Sequence, residues 1–146
     1  MRGYAELAVT TNFSFLRGAS HPAEYVSQAA LLGQAAIGIA DRNTLAGVVR
    51  AHTQARDIGS RLLVGARLVP REGPELICYP TDRAAYGRLS QLLSLGKRRA
   101  EKGDCDLTLA DIEAHAGGSL FILLPPDPPD AGFEATLARL ARLWPG

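Results

Sequence analysis

Two hydrophobic periods alternate along this chain. Tyr4 to Thr11 combines apolar and β-compatible residues and stops in the turn-forming Thr10-Thr11-Asn12, which predicts a first strand. After a loop over 14–20, Ser20-His21-Pro22 opens a helical pattern with Ala23, Val26, Ala29, Ala30 and Leu32 apolar. Pro22 suits the first helical turn, and Gly33 suits the C′ position that ends it. Ala35 to Ala40 is wholly apolar, as in a strand covered on both faces, and it delivers Asp41-Arg42-Asn43 at its C-terminal end. Thr44 is then the predicted cap of a helix whose Leu45, Val48, Val49, His52 and Ala55 share a face, ending near Gly59. Arg61 to Val69 is the next strand.

Strand, helix, strand, helix, strand with short loops predicts βαβ crossovers, a mostly parallel sheet and an α/β fold. In the second half, Glu75 to Tyr79 is a predicted strand after the turn from Pro70 to Pro74. Asp82 to Leu95 is a predicted helix with Tyr86, Leu89, Leu92 and Leu93 toward a core and Gly96 as its stop. A charged connector over 97–106 leads to a short helix from Thr108 to His115, a buried strand from Ser119 to Leu124, a stiff PPDPPD link and a last amphipathic helix from Phe133 to Leu143.

Composition narrows the classes. At 146 residues, with 47% hydrophobic and 21% charged residues, the chain has the make-up of one domain over 1–146 with a buried core. Sixteen basic against 15 acidic residues give a formal net charge of +1, so any binding to nucleic acid or lipid must be local. Two separated cysteines, Cys78 and Cys105, point to a reducing cytoplasm, and neither an export signal nor a membrane span is written in the sequence.

The string YAELAVTTNFSFLRGASHPAEYVSQAALLG, with AAIGIADRNTLAGVVRAH and TDRAAYGRLSQLLSLGKRRAEKGDCDLTLADIEAH, resembles the start of error-prone DNA polymerases of the bacterial C family. The resemblance covers nearly the whole chain. It implies the N-terminal part of a polymerase-and-histidinol-phosphatase domain, a distorted β/α barrel that holds metal ions for phosphoester hydrolysis in its active members.

Residue by residue, that resemblance implies a degraded metal site. The family's HxH motif falls on Ala8 and Thr10, its Asp-His motif on Asp41 and Arg42, and its glutamate on Arg67. Neither alanine nor a guanidinium can donate an electron pair, so no catalytic metal and no cofactor are expected. Asp41, at the barrel mouth, is expected to take an arginine partner, and Arg17, Arg42 and Arg67 are candidate anion-binding residues. Lys97, Arg98, Arg99 and Lys102 form the densest basic segment, a candidate nucleic-acid contact that a solvated helix end explains equally well.

The remaining chemistry is sparse. His21, His52 and His115 lack ligand spacing, no serine lies in a GxSxG elbow, and no glycine-rich phosphate loop is present. The leading expectation is a non-catalytic module of an error-prone polymerase active in translesion synthesis and DNA repair. Its partners would be the remainder of the polymerase or a mutagenesis protein, with DNA met through the parent enzyme. Two rivals stand beside it: a metal-dependent phosphoesterase with Asp41, Glu6 and His21 as unusual ligands, and a stand-alone interaction or anion-binding protein from a truncated gene. A partial barrel also leaves the apolar inner faces of AAIGIA and SLFILL uncovered, so the isolated chain is expected to self-associate.

Overall fold

The computed structural model describes residues 3–144. The chain forms two compact units, one up to Arg67 and one from Leu68.

The first unit contains β1 (Ala5–Val9), α1 (Pro22–Leu31), β2 (Ala36–Arg42), α2 (Val48–Ile58) and most of β3 (Leu62–Leu68). β2 pairs in parallel with β1 and with β3, as the alternation predicts, and β1 is irregular between Glu6 and Val9. Ala36 through Asp41 are all buried, which explains the unbroken apolar run and corrects the expectation that AAIGIA presents an open face. Val9, Ile37 and Ile39 pack with Val26 and Ala29 of α1 and Ala51 and Ala55 of α2. Gln54 Nε2 donates to Ser27 Oγ at 3.0 Å, tying the two helices together.

The helix limits show which local signals dominate. α1 begins at Pro22 with His21 as its cap residue, and the His21 amide donates to Glu24 Oε2 at 2.7 Å. Gly33 takes φ 67° beyond its end, a conformation that a glycine adopts freely. α2 starts at Val48 with Gly47 as cap residue, later than the Thr44 cap predicts. The Thr44 hydroxyl instead accepts from the Ala46 amide at 3.1 Å, closing a local turn before the helix. The buried face of α2 is Val48, Ala51 and Ala55; Val49 and His52 are exposed, in contrast to the predicted stripe.

The second unit contains β4 (Leu76–Pro80), α3 (Arg83–Arg99), α4 (Leu109–Ala114), β5 (Ser119–Leu123) and α5 (Ala131–Leu143). β4 and β5 are antiparallel, with Cys78 opposite Phe121. β5 alternates half-buried and exposed positions, so SLFILL is not the buried strand its composition predicts. Asp82 caps α3 by accepting from the Ala85 amide at 2.7 Å. Gly96 does not stop this helix, which continues through Arg99. Its hydrogen is needed for close packing: a Cβ there would lie 2.6 Å from Leu107 Cδ2 and 2.7 Å from Cys105 Sγ. Tyr86, predicted toward the core, is exposed, while Leu89, Leu92 and Leu93 are buried.

Candidate functional site

The C-terminal ends of β2 and β3 carry the motif positions, and register decides where each side chain goes. Ile39 lies opposite Val9 and Val64, Asp41 opposite Ala66, and Arg42 opposite Arg67. Successive strand residues point to opposite faces, and Ile37 and Ile39 face the two helices. Asp41 therefore shares the helix-covered face, while Arg42 and Arg67 lie side by side on the other. The structure brings those two arginines together and separates Asp41 from them.

Asp41 is 1% exposed, and its carboxylate is held by three donors. Oδ1 accepts from the Thr11 amide and the Ser14 hydroxyl, both at 2.7 Å, and Oδ2 accepts from the Thr11 hydroxyl at 2.7 Å. Ser14 Oγ in turn accepts from the Arg42 amide at 2.9 Å. The carboxylate lies close to Gly47, the cap residue of α2, and near the start of α1: a Cβ on Gly47 would stand 3.0 Å from Asp41 Oδ2 and 3.1 Å from Pro22 Cγ. Charge-assisted hydrogen bonds and nearby helix N-termini compensate its burial. The arginine partner expected for Asp41 is thus replaced by hydroxyl and amide donors from the β1–α1 loop. Thr11 and Ser14 escape a motif search because their role is set by spatial neighbours 27 to 30 positions away.

The other expected positions are dispersed. Ala8 is exposed and its amide donates to Glu6 Oε1 at 3.0 Å; Thr10 is half-buried. Glu6 also accepts from the Tyr4 hydroxyl at 2.6 Å, which holds its carboxyl below the ordinary range, as the contact with the Ala8 amide does. His21 Nδ1 is 3.0 Å from Asn12 Nδ2. Arg17 projects into solvent from the loop before α1. Among the described residues, no three His, Cys, Asp or Glu side chains gather as a metal-holding group. Burial pushes the Cys78 thiol up to about 11, which leaves it a poor nucleophile.

In the second unit, Lys97, Arg98, Arg99 and Lys102 are exposed. The first three occupy the last turn of α3, where cations complement the helix dipole. Arg99 is already engaged: its Nη1 reaches Asp111 Oδ2 at 2.5 Å. Arg99 and the Thr108 amide hold the Asp111 carboxyl down to about 2. Asp106, shortly after this segment, forms a further ion pair with Arg71. No helix among the described residues is long and apolar enough to cross a membrane.

Comparison with known proteins adds a family to this geometry. The PHP domain matches residues 6–130. The chain is 54% identical over 149 residues to an error-prone DNA polymerase of Rhodopseudomonas palustris, covering 98% of this chain and 13% of that protein. It is 55% identical over 139 residues to one from Caulobacter vibrioides, covering 94% of this chain and 13% of that one. A Brucella abortus relative of the same name is 50% identical, with 98% of this chain and 14% of that protein covered. The chain thus spans about an eighth of the relatives it matches. Among solved structures, a Bifidobacterium adolescentis protein assigned as a metal-dependent phosphoesterase superposes with a TM-score of 0.56 at 24% identity, over 66% of this chain and 34% of that one. A Chromobacterium violaceum amidohydrolase gives 0.55 at 22% identity, over 64% and 33%. These two likenesses are of fold: a partial α/β architecture.

Proposed function

Because the chain belongs to the PHP domain family, we propose that it is the PHP module of an error-prone C-family DNA polymerase, organising the larger enzyme without hydrolysing phosphoesters itself. The observation that carries this reading is the 50 to 55% identity to error-prone polymerases across 94 to 98% of the chain. The parent polypeptide would synthesise DNA past lesions and in repair, in the cytoplasm, with catalytic carboxylates carried outside these residues.

The non-catalytic role is supported by the donor set. A hydrolytic metal needs several lone-pair donors converging on one point. Ala8 offers none, Arg42 and Arg67 present cations, and Asp41 lies on the opposite face with both oxygens taken by Thr11 and Ser14. The family's metal does not fit these residues, and no reaction step is derived through it.

Elemental analysis of the purified chain, with assays on phosphomonoesters and DNA 3′ ends, tests this. The expected result is no stoichiometric Zn²⁺, Mn²⁺ or Mg²⁺, no hydrolysis and no primer extension by the isolated chain. One tightly held metal per chain with phosphoesterase turnover would replace this reading by that of a working enzyme.

A further inference from the structure

Phe15 and Leu16, at the tip of the loop between β1 and α1, are 86% and 88% exposed. Two adjacent large apolar side chains in that state are unfavourable in water unless something covers them. The tip is not slack. Arg17 and Gly18 amides donate to the Ser14 carbonyl at 2.9 and 3.1 Å, the Ser14 amide donates to the Thr11 carbonyl at 3.0 Å, and the Asn12 amide donates to the Ser20 carbonyl at 3.0 Å. Ser14 is anchored on buried Asp41, and Gly18 sits so close to the strand end that a Cβ would be 2.3 Å from the Thr11 carbonyl oxygen. In this frame Leu16 has φ 58°, a left-handed conformation that leucine keeps only under constraint. The frame therefore presents both side chains in advance, and docking them costs little ordering entropy.

Cations lie on and against this loop. Arg17 is exposed beside it, and exposed Arg50 holds its guanidinium 5.6 Å from the centre of the Phe13 ring. We propose that Phe15 and Leu16 form a preshaped docking knob for an apolar pocket rimmed by carboxylates, on the polypeptide that the longer relatives carry outside the stretch matched here. This rests on the polymerase-module reading and names the surface through which the module engages its parent. An aromatic side chain and arginines are enriched at protein interfaces, and the leucine adds apolar area beside them. Nucleic acid fits less well: leucine has no π face for a base, and two arginines neutralise too few phosphates. About seven-eighths of the length of the relatives is available to supply the pocket.

The test uses the intact polypeptide that carries this sequence, with the photoreactive benzoylphenylalanine at position 15. Irradiation and mass spectrometry should find a cross-link to a peptide outside residues 1–146 that combines apolar side chains with Asp or Glu. Adding Leu16→Asn should lower the yield roughly tenfold or more, the effect of withdrawing one buried leucine. Asparagine tolerates the left-handed region, so this variant keeps the loop intact. Cross-links to DNA, to another copy of residues 1–146, or none at all overturn the knob. Primer extension by the same preparation reports separately on the module reading: its absence overturns that reading, whatever position 15 touches.

Discussion

Replacing Asp41 with alanine removes the acceptor of three donors in a site closed to water, so the Thr11 amide and the Thr11 and Ser14 hydroxyls lose their partner together. The expected loss is about 3 to 5 kcal/mol of unfolding free energy, the scale for breaking a buried, hydrogen-bonded charge. Asp41→Asn keeps the shape but turns one acceptor into a donor, and should cost about 2 kcal/mol. Urea denaturation followed by circular dichroism measures both; a loss under about 1 kcal/mol for the alanine variant would show that the carboxylate holds nothing together. Asp111 offers a test in pH. Its folded carboxyl titrates near 2 against an ordinary 3.8, because Arg99 and Thr108 favour the charged form. A depressed pKa gives stability that is full above the ordinary value and is lost as pH falls from about 4 toward 2. Arg99→Gln should flatten the stability profile in that window and move the Asp111 titration, followed by NMR, back toward 3.8.

Glycine in a helix reads as a stop until its neighbours are known. Gly96 and Gly87 both lie within α3, yet a Cβ at 96 would meet Leu107 and Cys105 under 3 Å, and nothing stands within 4 Å of one at 87. Gly87→Ala should therefore stabilise by about 0.5 to 1 kcal/mol through helix propensity. Gly96→Ala should destabilise by about 1 to 3 kcal/mol through overpacking, despite the same propensity gain. Thermal unfolding of the pair decides it, and equal shifts would refute the packing argument. The order and type of elements are legible in the sequence because apolar period and capping residues are local properties: Pro22, Gly33, Asp82 and Thr108 all act where they stand. The end of α3, the start of α2 and the antiparallel pairing of β5 depend on distant neighbours and are not legible. The same holds at the candidate site. The family resemblance singles out Asp41, Arg42 and Arg67, but only register shows that two of them face one way and the third the other.

For the molecule as a whole, exposed apolar side chains predict association. Leu120 and Ile122 of β5 and Leu137 and Leu143 of α5 remain accessible, with Leu120 55% exposed. Light scattering at micromolar concentration should give a mass above the 15.5 kDa monomer, most simply that of a symmetric dimer. A compact monomer that binds no hydrophobic dye would contradict this. The pairing of Asp41 with Thr11 and Ser14 also bears on synthesis. Both donor residues precede the acceptor, by 30 and 27 positions, and the apolar core of the first unit is supplied by residues up to Leu62. Every participant in this buried hub is therefore synthesised before any residue of the second unit. The first unit can be sealed vectorially, with its costliest polar burial completed while the rest of the polypeptide is still being made.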